Sequence, residues 1–151
     1  MHIRVTRHGG ASVYVVVDGP RTSGKPAVLI LDGIGCVGWT FRRIIPALAS
    51  DRRVGMLHYR GHGRSPTPPR PWRLSMTELA DDAAAAIEEA QLGPVVVVGF
   101  SMGFQVALEL YRRHRHLVVG LVSVAGPSGH TLARFQGSAG LGRALPLLQA
   151  A

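Results

Sequence analysis

Carboxylates are scarce in this chain. Nine Asp and Glu stand against seventeen Lys and Arg in 151 residues, a formal net charge of +8, and none of the nine lies beyond Glu109. Residues 110 to 151 carry five arginines and no acid. Cysteine is nearly absent. Cys36 is the single thiol, which excludes an internal disulfide framework. No apolar run approaches the roughly 20 residues that span a bilayer, so no membrane span is expected. Met1-His2-Ile3-Arg4 alternates instead of opening an apolar block, which argues against a signal peptide. No segment repeats, so a solenoid is not indicated. These absences point to a cytoplasmic protein, and an apolar share of 46% is enough for one ordinary core.

The basic excess has three readings. A nucleic-acid or acidic membrane surface is one. Arginines on solvated helix faces are another, favoured because the 16 arginines are scattered and form no block of like charge. The third is an acidic segment missing from the chain. A nucleic-acid partner is not expected, since there is no helix-turn-helix, RRM or zinc signature and the nine aromatics fall mostly at core-like positions.

Residues 3–6 and 12–17 alternate and are β-rich around His8-Gly9-Gly10, which predicts a hairpin. Unbroken apolar runs follow at Ala27–Leu31, Val95–Val98 and about Leu117–Val124, with a weaker one at Val54–Tyr59. Such runs suit parallel strands buried on both faces. Helices are predicted between them. Phe41, Ile44, Ile45 and Leu48 are spaced for one apolar face. Ser75-Met76-Thr77-Glu78 reads as a capping box, opening a helix that buries Leu79, Ala83, Ile87 and Ala90 and stops at Gly93-Pro94. A third helix is predicted from about Met102 to His114. Alternating strands and helices predict an α/β fold with a mostly parallel sheet and crossover helices. Pro66 to Trp72 is too proline-rich for either element.

Gly99-Phe100-Ser101-Met102-Gly103 matches G-x-S-x-G between a strand and a helix, the context of a nucleophile elbow. A sharp turn there strains the serine and leaves no room for a Cβ at Gly99 or Gly103. It also puts the Ser101 hydroxyl at a helix N-terminus, whose free N–H groups favour negative charge. Asp32-Gly33-Ile34-Gly35 ends the first buried strand, where a glycine loop can aim an N–H at a substrate oxygen. Arg60-Gly61-His62-Gly63-Arg64-Ser65 makes a further tight turn after the next strand.

With these three motifs in this order, residues 1 to about 128 resemble the N-terminal half of the α/β-hydrolase fold family. The resemblance implies Ser101 as the catalytic nucleophile and the N–H groups of Ile34 and Met102 as the oxyanion hole. It makes Asp32, Gly33, Arg60, Gly61, Gly63, Gly99 and Gly103 structural residues. Asp32 stands where the family usually has histidine, and a carboxylate pointing into an oxyanion hole would repel the transition state, so Asp32 is expected to turn into hydrogen bonds within its loop. His58 stands where the family often has Asp. A serine at 101 argues against the members with an aspartate nucleophile.

In that family an acid and then a histidine follow the serine. Only 50 residues follow Ser101, with no acid after Glu109. One more crossover unit needs about 30 residues, and two further strands do not fit. The expectation is therefore an α/β-hydrolase-like chain truncated after about the sixth strand, with 1–128 as core and 129–151 as the start of a lid. His130 is the one downstream histidine free to fold back as a base. His62 lies upstream, and His114 and His116 sit at a helix end. His58 with His62, or His114 with His116, also reads as a metal pair, but neither has a third ligand, and no metal or cofactor is expected.

The functional expectation is a serine hydrolase acting on an ester, thioester or similar acyl bond of a small molecule, lacking the acid and His of its triad and so weak or inactive alone. The alternative is a non-catalytic binding protein on the same fold. Cutting the sheet at the Leu117–Val124 strand leaves an apolar edge, through which self-association is expected.

Overall fold

The computed structural model describes residues 1–7, 11–71 and 74–127. The His8-Gly9-Gly10 turn, Trp72, His130 and the expected lid segment lie outside them. Six strands form one sheet: β1 His2–Thr6, β2 Ser12–Asp18, β3 Ala27–Leu31, β4 Val54–His58, β5 Val95–Phe100 and β6 Val118–Val124. The helices are α1 Ile44–Ala49, α2 Met76–Glu89 and α3 Met102–Arg113.

The strand order is β1-β2-β4-β3-β5-β6. β1 and β2 form an antiparallel hairpin with Ile3 opposite Val15, and β2 pairs antiparallel to β4 from Tyr14–His58 to Asp18–Val54. The β4–β3, β3–β5 and β5–β6 pairs are parallel. The apolar runs belong to these parallel strands, and all five residues of β3 and of β4 are buried. Parallel pairing brings Leu31, His58, Phe100 and Val124 to one end of the sheet, where the chain turns into loops.

Helices cover both faces. On one, Leu79, Ala83 and Ile87 of α2 and Val106 and Leu110 of α3 pack in a core with Leu29, Leu31, Leu57 and Val97. On the other, Phe41, Ile45 and Leu48 pack against Val28, Ile30, Val54 and Met56. The capping box at Ser75 is present. Its hydroxyl accepts from Glu78 N at 3.1 Å and Glu78 Oε2 accepts from Ser75 N at 3.3 Å, a pairing worth about 1 kcal/mol.

The predicted helix through Phe41–Leu48 is split. Trp39–Phe41 is a 3₁₀ turn and α1 starts only at Ile44. The break rotates the intended face: Phe41 is buried, but Ile44 is 49% exposed. β4 ends at His58, so Tyr59 belongs to the following turn, and Arg115–Leu117 is a 3₁₀ turn preceding β6. Among the described residues β6 pairs only with β5, and Val119, Val122 and Val124 are exposed along it.

Candidate active site

Ser101 sits between β5 and α3 with φ 51° and ψ −121°. Few non-glycine residues adopt positive φ, and such a conformation costs about 1–3 kcal/mol unless neighbours hold it. Here they do. Ser101 N donates to Val124 O of β6 at 3.1 Å, and Phe104 N donates to Ser101 O at 3.1 Å. The flanking glycines are required by closeness, not by their own dihedrals. A Cβ on Gly103 would lie 1.9 Å from Leu31 O, and one on Gly99 2.5 Å from Phe104 Cα. Only bare backbone lets α3 start directly over the end of β3.

The same contact brings the Asp32 loop to the serine. A Cβ on Gly33 would lie 3.4 Å from Ser101 Cβ and 3.1 Å from the Phe100 ring. Cys36 N donates to Gly33 O at 3.1 Å, closing a four-residue turn with Gly35 at φ 72°. A positive φ at this third position is the type II pattern that favours glycine. Ile34 occupies the second position. Its N–H makes no hydrogen bond among the described residues, nor does that of Met102, the first residue of α3. The Ile34 side chain is 67% exposed. Asp32 is buried, and its two oxygens accept from Gly33 N and Gly38 N, both at 2.8 Å. Its charge is thereby held at the base of the loop by N–H donors.

The Arg60–Ser65 turn backs this loop. His62 Nδ1 lies 3.0 Å from Arg60 O, a carbonyl that can only accept, so this nitrogen carries the proton. Nε2 is then free to accept from Gly35 N at 3.2 Å. The imidazole thus pins the tip of the Ile34 turn. The sequence marks His62 only as a metal or base candidate, because its partner lies 27 residues upstream.

Gly61 and Gly63 have φ 71° and 53°, and a Cβ on Gly63 would lie 2.6 Å from His58 Nδ1. Ser65 Oγ donates to His58 O at 2.5 Å and accepts from Tyr14 N at 2.9 Å. Arg60 forks onto Asp82 of α2, with Nε–Oδ2 2.6 Å and Nη2–Oδ1 2.8 Å, and reaches Glu78 at 3.3 Å. Arg7 adds a third bond to Asp82 at 3.2 Å. Asp82 is fully buried, so this cluster joins β1, the turn and α2.

His58 and His114 are engaged elsewhere. His58 is buried, and its Nδ1 accepts from Arg64 N at 3.1 Å. Burial, with the nearby Arg64 charge, holds its pKa below the ordinary imidazole value. His114 Nε2 meets Asp81 Oδ1 at 2.8 Å beside the Arg113–Asp81 pair. Among the described residues no three His, Cys, Asp or Glu side chains gather as a metal site, and the Ser101 hydroxyl makes no capping bond to the first turn of α3.

Comparison with known proteins agrees with this architecture. A family model described as the alpha/beta hydrolase fold matches residues 26–142. The chain belongs to the α/β-hydrolase fold family. It is 33% identical over 104 residues to the magnesium-chelatase 30 kDa subunit of Rhodobacter capsulatus, covering 69% of this chain and 36% of that protein. It is 34% identical over 107 residues to the pimeloyl-[acyl-carrier protein] methyl ester esterase of Methylococcus capsulatus, covering 70% and 39%. A hydrolase from Pseudomonas aeruginosa PA01 shares its fold with a TM-score of 0.75 at 24% identity, covering 98% of this chain and 53% of that one. The chain thus spans well under half the length of these curated relatives. Among the described residues no helix is long and apolar enough to cross a membrane.

Proposed function

We propose that the chain carries the nucleophile and oxyanion half of a serine hydrolase acting on an ester, thioester or similar acyl bond of a small molecule. The observation that carries this reading is Ser101 held at φ 51° on a strand-to-helix turn, with the Gly33 backbone beside it. Ser101 Oγ attacks the acyl carbon as its proton passes to a base, and the tetrahedral oxyanion collapses to acyl-serine as the C–O or C–S bond breaks and the leaving alcohol or thiol takes that proton. The N–H groups of Met102 and Ile34, neither of which has another acceptor among the described residues, stabilise the oxyanion. Asp32 and His62 hold the Ile34 turn in place. The esterase relative supports acyl chemistry. The base and its orienting acid are supplied from outside the residues described. A serine hydroxyl without a base is a poor nucleophile, so the chain alone cleaves esters slowly.

Turnover of an aryl ester tests this. The expected rate is on the order of 10³ above water, the residue left by an oxyanion hole alone, and Ser101→Ala changes it little. A fast rate lost in both Ser101→Ala and His130→Ala would overturn the missing base.

One observation favours a second reading, a non-catalytic binding protein: one relative is named as a chelatase subunit. That reading predicts ligand binding without any acylation of Ser101.

The reading also includes self-association through β6, whose exposed Val119, Val122 and Val124 flank a ladder edge that is unpaired among the described residues. Sedimentation of a dilute sample should show species larger than a monomer. A single sharp monomer boundary would contradict it.

A further inference from the structure

The far end of the sheet holds an arginine with no ion pair among the described residues. Arg53 immediately precedes β4, beside the Asp18–Val54 pair, a full strand length from the Ser101 end. It is only 8% exposed, and its Nε is completely buried with no hydrogen-bond partner. Arg53 forms no ion pair among the described residues. Guanidinium cannot discharge by losing its proton. A buried donor left unsatisfied is costly unless an acceptor reaches it.

Arg53 lines a cavity of about 210 Å³ together with Arg21, Asp18 and Gly19. Arg21 is exposed and likewise has no ion pair among the described residues. Asp18 is the one acid on the wall. Its Oδ1 accepts from Gly19 N at 2.8 Å, and its carboxylate pairs with neither guanidinium. The wall is closely built. Gly19 has φ 84°, and a Cβ there would lie 2.1 Å from Arg52 O, so the loop closes over the start of β4 only with glycine. The result is a small, half-open space with two arginines on its wall and one carboxylate turned to its own backbone.

We propose that this cavity binds a small oxyanion, a phosphate or a carboxylate group, through Arg53 and Arg21. A planar guanidinium matches two oxygens of either group. The site is separate from the Ser101 loop and independent of the acyl-transfer reading.

Thermal melting of the intact chain in inorganic phosphate, against sodium chloride of equal ionic strength, tests it. Phosphate at ten times its dissociation constant should raise the midpoint by about 4 °C. Sodium acetate is the second arm: an equal rise assigns a carboxylate-compatible site, and no rise assigns phosphate. Arg53→Met should remove the phosphate response. Should that variant not fold, Arg21→Gln and Asp18→Asn carry the test, the first shrinking the response and the second enlarging it by removing the repelling carboxylate. Equal midpoints in phosphate and chloride, or an unchanged response in Arg53→Met or Arg21→Gln, would overturn the proposal. So would an Asp18→Asn chain that melts lower and ignores phosphate, because Asp18 would then be the partner of Arg53.

Discussion

Gly103→Ala should destabilise the chain by about 3–5 kcal/mol, although it adds one methyl group. That methyl would stand 1.9 Å from Leu31 O, 2.5 Å from Leu31 C and 2.7 Å from Asp32 O. All three are backbone atoms at the end of the central strand, so no side chain can rotate away. Either α3 lifts off β3 or the Asp32 loop shifts, and both moves disturb Ser101. Urea unfolding followed by circular dichroism measures the loss, and the thermal midpoint should fall by roughly 10 °C. Gly120→Ala is the control. A Cβ there would meet the Val96 side chain at 3.5 Å, an ordinary contact, and should change stability by under about 1 kcal/mol. Equal effects of the two would mean that α3 and β3 do not pack as closely as described.

Asp82→Ala should cost a similar amount, about 3–5 kcal/mol, for a different reason. Asp82 is fully buried and accepts three hydrogen bonds from Arg60 and Arg7. Removing it leaves the Arg60 fork, whose side chain is 10% exposed, with only the bond to Glu78. The unpaired charge, more than the lost attraction, sets the size of the effect. Asp82→Asn keeps the shape and part of the hydrogen bonding, so it should fall between Asp82→Ala and the natural chain in the same urea measurement. A loss below about 1 kcal/mol for Asp82→Ala would show that the cluster is solvated and that the Arg60 turn is held by its glycines alone.

The elements legible in the sequence are those whose cause is local. The apolar runs at Ala27–Leu31 and Val95–Val98 are strands because burial on both faces tolerates nothing polar. Ser75 and Glu78 cap α2 because their partners lie within one turn. The family resemblance was legible because the Ser101 motif needs a strand before it and a helix after it. The misses came from distant or cancelling causes. The face through Phe41 and Leu48 has helical spacing, yet the chain breaks at Arg42-Arg43 and exposes Ile44. No periodicity signals the Arg60–Asp82 fork, 22 residues apart, or the His62–Gly35 bond, 27 apart. Arg53 reads as a surface residue, and only the fold puts it at the buried start of β4.

The identity of Ser101 as the acylated residue is the centre of the account, and intact-protein mass spectrometry tests it most directly. The chain is incubated with an aryl acetate and a high concentration of imidazole, which supplies from solution the base that the described residues lack. Imidazole also assists deacylation, so the reaction is quenched in acid soon after mixing, while the adduct is still populated. The account predicts one acetyl group per chain, mapped to Ser101 after digestion and absent from Ser101→Ala. No adduct, or an adduct mapped to Lys25 or the N-terminus and equally present in Ser101→Ala, would contradict it.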